Sequence, residues 1–299
     1  MSQPGQYDAI YSMEFGGAKP AAIDLDQAKA IVLPIPFERT TSYIPGTRNG
    51  PREILAASTH MELWDEELNV DVHDIGILTL PEMELPFDAM QDVMDEIQRV
   101  AAGLIAGDAF LLTLGGEHSI TGPLVAAHAA RHPGLSVLQL DAHADLRESY
   151  MGTPYNHACA MRRALDHAPC TQVAVRSLSA AEARAIPSLR TRIFYDCSMR
   201  NDADWMDRVI DTLSDTVYLT IDCDGLDPAI MPAVGTPEPG GLSWYETLAL
   251  LRKLFARKRV VGCDLVELCP LPNNPAPNFL CARLAYKILA YRFAGQTGR

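Results

Sequence analysis

Short apolar segments recur along the chain, and their alternation with helical patterns constrains the fold more than any other feature of the sequence. Six segments have the length and the apolar content of buried strands: 30–33, 109–114, 135–140, 172–175, 217–221 and 259–263. Between them, apolar residues from Phe87 to Leu104 fall on one face of a predicted helix, and Gly107 can end that helix. A second predicted helix spans 242–258, with Ser243 as its N-cap. Strands that alternate with helices predict a mostly parallel sheet covered by helices on both faces.

The length of the chain favours one domain. It has 299 residues, enough for two average domains or one large α/β domain. It contains no internal repeat, low-complexity segment or polar linker that would separate two units. We therefore expect residues 1–299 to form a single domain with a large buried core.

The charge of the chain excludes some classes of partner. The formal net charge is −13, whereas nucleic acids and anionic membranes are bound through basic patches. An acidic protein is compatible with a cationic small-molecule substrate. We therefore expect neither a nucleic acid nor a membrane among its partners.

The cysteines and the N-terminal segment indicate a cytoplasmic protein. The seven cysteines are odd in number and form no CxxC pair, which disfavours a disulfide framework and a cysteine zinc site. The first fifteen residues lack a basic region followed by an apolar run, so we expect no signal peptide. No apolar stretch approaches the roughly 20 residues that span a bilayer.

Histidines and aspartates follow three of the predicted strands. In open α/β sheets, ligands bind outside the carboxyl ends of the strands. Side chains alternate along extended chain, so residues 141, 143 and 145 point to one side, as do 222 and 224. Six side chains are thereby brought to one crevice: His118, Asp141, His143, Asp145, Asp222 and Asp224.

This set of side chains predicts a binuclear metal site. Four carboxylates in one crevice repel one another unless cations neutralise them, and two divalent ions balance four negative charges. Oxygen and nitrogen ligands without thiolate favour Mn²⁺ or a similar metal. Ions about 3.5–4 Å apart in such sites activate water for hydrolysis. Asp227, which precedes Pro228, instead has the position of a turn residue.

Several motifs together resemble the ureohydrolase family, which includes arginase, agmatinase and formiminoglutamase. The motifs are GGEHS, DAHAD, IDCDGLDP, GTPEPGG and DLVELCP, with GTRNGPREI at 46–54. The resemblance extends from about residue 46 to 270 and implies a three-layer α/β/α fold around an eight-stranded parallel sheet, as in arginases and deacetylases. It also implies two Mn²⁺ ions per chain and a homo-oligomer, either a trimer or a hexamer.

The resemblance assigns roles to individual residues. One ion would be held by His118, Asp141, Asp145 and Asp222, and the other by Asp141, His143, Asp222 and Asp224, so that two aspartates bridge both ions. His157 matches the histidine that moves protons and contacts substrate, and Glu267 matches the glutamate that binds the guanidinium group. Asp145 would relay a proton from water to the leaving amine.

The sequence around His157 bears on the substrate. Its segment DLRESYMGTPYNHA lacks the SGNxHG pattern with which arginases hold the α-amino and α-carboxylate groups of arginine. It is similar to an agmatinase-like group in which DAHxDLR precedes a histidine near MRR, here residues 161–163. We therefore expect hydrolysis of agmatine to putrescine and urea, a step of polyamine biosynthesis. Glu117, where many members have Asp, and Ala158, where arginases have Gly, depart from the family pattern without changing a ligand.

Other interpretations remain open at this point. The enzyme could act on another guanidino compound, such as guanidinobutyrate. A non-catalytic binding protein on the same fold should have lost a metal ligand, and a deacetylase-like amidohydrolase would not need two bridging aspartates. Glu238, in a loop rich in Gly and Pro, either lines the pocket or only shapes the loop.

Overall fold

Eight parallel strands form the central sheet of the computed structural model, which describes residues 13–17, 23–87 and 89–296. The strands are β1 (Ala30–Ile35), β4 (Ile77–Thr79), β5 (Phe110–Gly115), β6 (Ser136–Leu140), β7 (Cys170–Val175), β8 (Thr191–Tyr195), β9 (Thr216–Asp222) and β10 (Arg259–Val266). Between β1 and β4 in the chain, β2 (Trp64–Asp65) and β3 (Val70–Asp71) form a small antiparallel hairpin. The order across the sheet is β4-β1-β5-β10-β9-β6-β7-β8.

The six strands predicted from apolar segments are the six interior strands of this sheet. The two edge strands, β4 and β8, carry no comparable apolar run, because an edge strand is covered on fewer sides. Strand β10 extends beyond its predicted end at residue 263 to Val266, so Asp264 lies within the strand rather than after it. Asp264 is nevertheless fully buried and interrupts the apolar run that defined the prediction.

Helices cover both faces of the sheet. They are α1 (Gly50–Ser58), α2 (Met90–Leu104), α3 (Thr121–Arg131), α4 (Ala160–Ala164), α5 (Ala180–Ala185), α6 (Asp196–Met199), α7 (Trp205–Asp211), α8 (Trp244–Arg257) and α9 (Ala276–Phe293). Side chains of α1, α7, α8 and α9 share one hydrophobic core, and those of α2, α3 and α4 share the other. The three-layer α/β/α architecture is therefore confirmed. None of the helices among the described residues is long and apolar enough to cross a membrane.

The two helix predictions were right in position, but both ends of α2 differ from the prediction, since the helix ends at Leu104 with Ile105 as its C-cap, before Gly107. Helix α8 begins after Ser243, whose side chain accepts from the backbone N–H of Glu246 in a capping box. Helix α2 begins at Met90, and Phe87, predicted to share its apolar face, is fully exposed outside the helix. The first twelve residues, on which the expectation of no signal peptide largely rests, lie outside the described part of the chain.

The registers of the central strands bring their carboxyl ends to one level. Gly115 of β5 is paired with Ile35 of β1, and Val266 of β10 is paired with Asp222 of β9. Leu140, the last residue of β6, pairs with Ile221 of β9. The loops that follow β5, β6, β9 and β10 therefore leave the sheet side by side.

Gly116, directly after β5, is required by a close backbone approach. A Cβ atom at this position would lie 2.1 Å from the carbonyl oxygen of Phe37. The same contact includes hydrogen bonds from Gly116 N to Ile35 O and from Glu117 N to Phe37 O. The loop after β1 is thereby fixed against the loop after β5.

We predict that Gly116→Ala destabilises the protein by about 1–3 kcal/mol, the usual cost of forcing extra volume into a packed region. The matched control is Gly103→Ala in α2, where a Cβ atom would meet nothing within 4 Å. Because alanine is the better helix former, that variant should gain up to about 1 kcal/mol. Urea unfolding of both variants measures the difference, and equal stabilities would contradict the packing argument.

Candidate metal centre and active site

The six predicted metal ligands lie together at the carboxyl edge of the sheet. His118 begins a short 3₁₀ turn (His118–Ile120) after β5, and a similar turn (Cys223–Gly225) follows Asp222 at the end of β9. The loop after β6 supplies the remaining three residues, at positions 141, 143 and 145. Two groups of side chains have the spacing of a metal site: His118, Asp141 and Asp145, and Asp141, His143 and Asp224.

The first group surrounds the Nδ1 atom of His118. This atom lies 3.2 Å from Asp141 Oδ2, 3.1 Å from Asp145 Oδ2 and 3.2 Å from Asp222 Oδ2. Among the described residues, it has no hydrogen-bond partner although it is completely buried. Burial alone would lower the pKa of His118, but the three carboxylates raise it well above its usual value. A positive charge is therefore strongly favoured at this point.

The other ring nitrogen of His118, Nε2, is held in place by a hydrogen bond to a buried threonine. Nε2 lies 3.0 Å from Thr220 Oγ1, and the Thr220 hydroxyl donates to Asp264 Oδ1 at 2.6 Å. Since the only hydroxyl proton of Thr220 points to Asp264, Nε2 must be the donor to Thr220, so Nδ1 is the atom that offers a lone pair when the ring is neutral. A lone pair facing three carboxylate oxygens fits a metal cation, and this kind of support is usual behind metal-binding histidines.

The second group is built on His143 and shares Asp141 with the first. His143 Nδ1 lies 2.9 Å from Asp224 Oδ2 and 3.6 Å from Asp141 Oδ1. Asp141 thus directs one oxygen to each group, which is the arrangement that a bridging ligand needs. Asp222 is different: Oδ2 faces the first group, and Oδ1 accepts from the backbone N–H of Asp224 at 2.9 Å. Its bridging role therefore stays a prediction.

The electrostatics of the carboxylates also favours cations. Burial, with the nearby charge of Asp141, raises the pKa of Asp145 to about 6, and burial with Asp224 raises the pKa of Asp222 well above its usual range. Burial works against a charged His143, yet Asp224 and Asp141 raise its pKa to about 12. Metal ions in place of these protons would relieve the same repulsion.

Glu267 and His157 lie beside the two groups. Glu267 follows β10 with a left-handed backbone (φ 66°), and its Oε1 accepts from the backbone N–H of His118 at 2.7 Å. His157 Nδ1 lies 3.8 Å from Glu267 Oε1, and its Nε2 lies 3.2 Å from Ser42 Oγ. Burial and the two histidines at the metal groups lower the pKa of His157 to about 4, so it is neutral at pH 7.

Glu117, the residue that departs from the family pattern, connects the loop after β1 to His157. Its buried carboxylate accepts from the backbone N–H groups of Arg39 and Thr40 and from the hydroxyls of Thr40 and Ser119. Thr40 Oγ1 in turn accepts from the backbone N–H of His157 at 2.9 Å. Glu117 thus supports, through Thr40, the backbone position of His157 in the cavity lining.

A cavity of about 290 Å³ opens over the two groups. Its lining includes the predicted site residues His143, Asp145, Asp222, Asp224, His157 and Glu267, together with Ser42, Arg147, Tyr150, Ser179, Glu182 and Thr236. A further cavity of about 510 Å³ adjoins it and shares three of its lining residues, Arg147, Ser179 and Glu182. Six of the eight predicted site residues therefore face one space that is large enough for a small organic cation, while His118 and Asp141 are fully buried and outside its lining.

Asp227, predicted to be a turn residue, and Glu238, whose role the sequence left open, both have local roles. Asp227 Oδ1 accepts from the backbone N–H of Ala229 at 2.8 Å, as expected of a turn residue. The side chain of Glu238 is not part of the cavity lining, and its carbonyl accepts from the guanidinium group of Arg176.

The residues that support the ligands were not predicted from the sequence. Thr220 and Asp264 are polar positions inside the apolar strands β9 and β10, and Tyr218 also donates to Asp264, at 2.7 Å. The available signal was the occurrence of polar residues in segments that are otherwise buried and apolar, since such groups need buried partners.

Comparisons of the sequence and of the structure with known proteins all indicate the same family. The profile of the Arginase family matches residues 28–291. An N(1)-aminopropylagmatine ureohydrolase of Synechocystis sp. is 40% identical over 272 residues, covering 88% of this chain and 89% of the relative. An agmatinase of Pyrococcus horikoshii is 32% identical over 271 residues, covering 89% and 93% of the two chains. The crystal structure of the agmatine ureohydrolase of Thermoplasma volcanium has a TM-score of 0.85 and 33% identity, and the match covers 97% of each chain. With two His/Asp groups under one cavity on this three-layer fold, the chain belongs to the arginase family of ureohydrolases.

Proposed function

We propose that this protein hydrolyses the guanidino group of a substrate with a cationic aliphatic tail and releases urea and an amine. The observation that carries the proposal is that two His/Asp groups share Asp141 beneath the same cavity that Glu267 faces. A non-catalytic binding protein would not need both groups intact. The acidic cavity also suits a guanidinium cation better than a neutral or anionic amide.

The two groups would hold two Mn²⁺ ions. His118, Asp141, Asp145 and Asp222 would bind one ion, and Asp141, His143, Asp222 and Asp224 the other. Such ions supply Lewis acidity and make water a strong nucleophile at neutral pH. The donor set of imidazole nitrogen and carboxylate oxygen, without a thiolate, supports manganese rather than structural zinc.

The neighbouring side chains would orient the substrate and move protons. One carboxylate oxygen of Glu267 is already bound to the His118 N–H, which fixes the group so that it can accept N–H bonds from a planar guanidinium ion. Asp145 lines the cavity, where it would pass a proton from the attacking water to the leaving nitrogen. His157, neutral and in contact with Ser42, an exposed residue of the cavity lining, would exchange protons with solvent.

Two substrates are supported by separate observations. The sequence around His157 favours agmatine, whose hydrolysis gives putrescine. Relatives that are 40% and 35% identical are named for N(1)-aminopropylagmatine, which makes this longer polyamine the second candidate. The adjoining cavity beyond Arg147 and Glu182 offers room for the longer tail.

A panel of guanidino compounds tests the function. We predict that urea is released from agmatine or N(1)-aminopropylagmatine with a kcat/KM at least about 10-fold above that for L-arginine. The reason is that the polar segment that holds the α-carboxylate is missing, and hydrogen bonds to charged groups contribute about 1.5–3 kcal/mol each. The measurement is urea release in the presence of Mn²⁺, with guanidinobutyrate as a fourth substrate.

The outcomes of this panel separate the alternatives. Arginine hydrolysed as well as agmatine would end the substrate assignment while leaving urea release intact. Preference for guanidinobutyrate would indicate that Arg147 in the cavity lining binds a carboxylate. A protein that binds two metals but releases no urea from any compound would be a binding protein.

We also propose that the protein forms a trimer or hexamer. Light scattering would measure the oligomeric state.

A further inference from the structure

Two glutamines lie in the middle of the apolar sheet, directly beneath the metal centre. Gln139 of β6 and Gln172 of β7 are paired in register, and both are completely buried. A buried amide without partners is costly, and leucine or valine would serve equally well as sheet filling. We therefore expect each amide to have a buried hydrogen-bond partner nearby.

The target is Asp141. Gln139 Nε2 donates to Asp141 Oδ2 at 2.5 Å, and Gln139 Oε1 accepts from Gln172 Nε2. Gln172 Nε2 also donates to the carbonyl of Ala144 at 2.6 Å, and Gln172 Oε1 accepts from the hydroxyl of Thr191 at 2.9 Å. The hydrogen bonds form one continuous relay across three strands, from Thr191 to Asp141.

The orientation of both amides is determined by the ends of this relay. An ionised carboxylate and a carbonyl only accept hydrogen bonds, so the groups that face Asp141 and Ala144 must be amide NH₂ groups. The oxygen of Gln139 then faces Gln172, and the oxygen of Gln172 faces the hydroxyl of Thr191. Turning either amide over would place two donors or two acceptors against each other.

We propose that Gln139, oriented by Gln172, is a positioning residue that holds the Asp141 carboxylate with one oxygen towards each metal group. The proposal rests on the proposed function, since it concerns the same metal centre. Asp141 Oδ1 is held by the backbone N–H of His143 at 2.5 Å, and Gln139 holds the opposite oxygen. Gln172 acts in parallel through Ala144, which lies in the loop between His143 and Asp145.

Removal of the Gln139 amide should therefore weaken metal binding. Without it, Oδ2 of Asp141 loses its donor, and the carboxylate can turn away from the two-site arrangement. Loss of a hydrogen bond behind a metal ligand typically costs about 10–100-fold in metal affinity. We expect a loss of this size in Gln139→Met, which keeps the length of the side chain and removes the donor.

The experiment is calorimetric titration of metal-free protein with Mn²⁺ alone. The matched control is Thr171→Val in β7, the strand of Gln172, which removes a buried hydroxyl that pairs with Thr212 and does not contact the metal groups. Its Mn²⁺ affinity should equal that of the wild type. Urea unfolding of the metal-free proteins provides the fold measurement, since a merely structural role would lower stability and leave the affinity of the folded protein unchanged.

A second variant tests the relay from its far end. Thr191→Val lies in the half-buried edge strand β8 and should weaken Mn²⁺ binding by about threefold, the effect of one weak neutral hydrogen bond. Wild-type affinity in both Gln139→Met and Thr191→Val would overturn the proposal and leave the proposed function standing. A wild-type protein that binds no Mn²⁺ would instead overturn the proposed function.

Discussion

Asp222→Asn is expected to abolish urea release and to cost the protein at least one of its two metal ions. Asp222 is buried, and its Oδ2 lies 3.2 Å from the Nδ1 atom of His118. Asparagine has the same shape but offers a neutral amide, which removes one negative charge and leaves an N–H₂ group that can face the cation. The same reasoning applies to Asp141→Asn, because Asp141 directs one oxygen to each group.

The control for this experiment is Asp227→Asn in the same loop. Asp227 accepts one hydrogen bond from Ala229 N, which the oxygen of asparagine can replace, and it faces neither metal group. Its activity should therefore stay close to that of the wild type. Metal content by elemental analysis and urea production are measured on all variants. Full activity in Asp222→Asn, or in wild-type protein stripped of metal, would refute the binuclear centre.

Glu267→Gln is expected to keep both metals and the fold but to lose at least about 10²-fold in kcat/KM. Two effects combine: hydrogen bonds to charged groups contribute about 1.5–3 kcal/mol, and misorientation of a reacting atom costs up to about 100-fold in rate. The amide oxygen of glutamine can still accept from His118 N, so the local backbone should be preserved. The substitution therefore isolates the charge that would hold the guanidinium group.

Glu38→Gln is the matched control, because Glu38 is also a buried glutamate that accepts from backbone N–H groups, those of Gly46 and Arg48. It lies outside the cavity lining, so its kcat/KM should be unchanged even if stability falls. Unchanged kinetics in Glu267→Gln would mean that the guanidinium group is bound elsewhere. Loss of metal in that variant would mean that Glu267 supports the metal centre instead.

The interior strands and the metal-binding side chains could be predicted from the sequence, because each is marked by a simple local pattern. The interior strands are buried on both faces, so their apolar runs are visible, whereas edge strands β4 and β8 are short or half exposed and have no such pattern. The metal groups are visible because His and Asp are concentrated just after strands. The eight-strand count and the role of Glu267 came from the family resemblance and not from the pattern.

The supports of the ligands could not be predicted in the same way. Whether Thr220 faces His118 and Asp264 depends on the register of β9 and β10, which no local pattern fixes. Gln139 and Gln172 pair across two strands for the same reason. Phe87 was predicted to belong to α2 because periodicity alone does not show where a helix begins. The helix starts three residues later, at Met90, after Ala89 in extended conformation.

The position of β10 means that the central sheet can close only after its last strand has been synthesised. It is the last strand of the sheet in the chain, yet it lies between β5 and β9, with β4 and β1 beyond one neighbour and β6, β7 and β8 beyond the other. Until it is synthesised, two half-sheets each present an open hydrogen-bonding edge, which is a template for pairing with other chains. Such long-range pairing is also slow. A truncation before Arg259 therefore exposes two edges in the middle of the sheet rather than shortening one side of it.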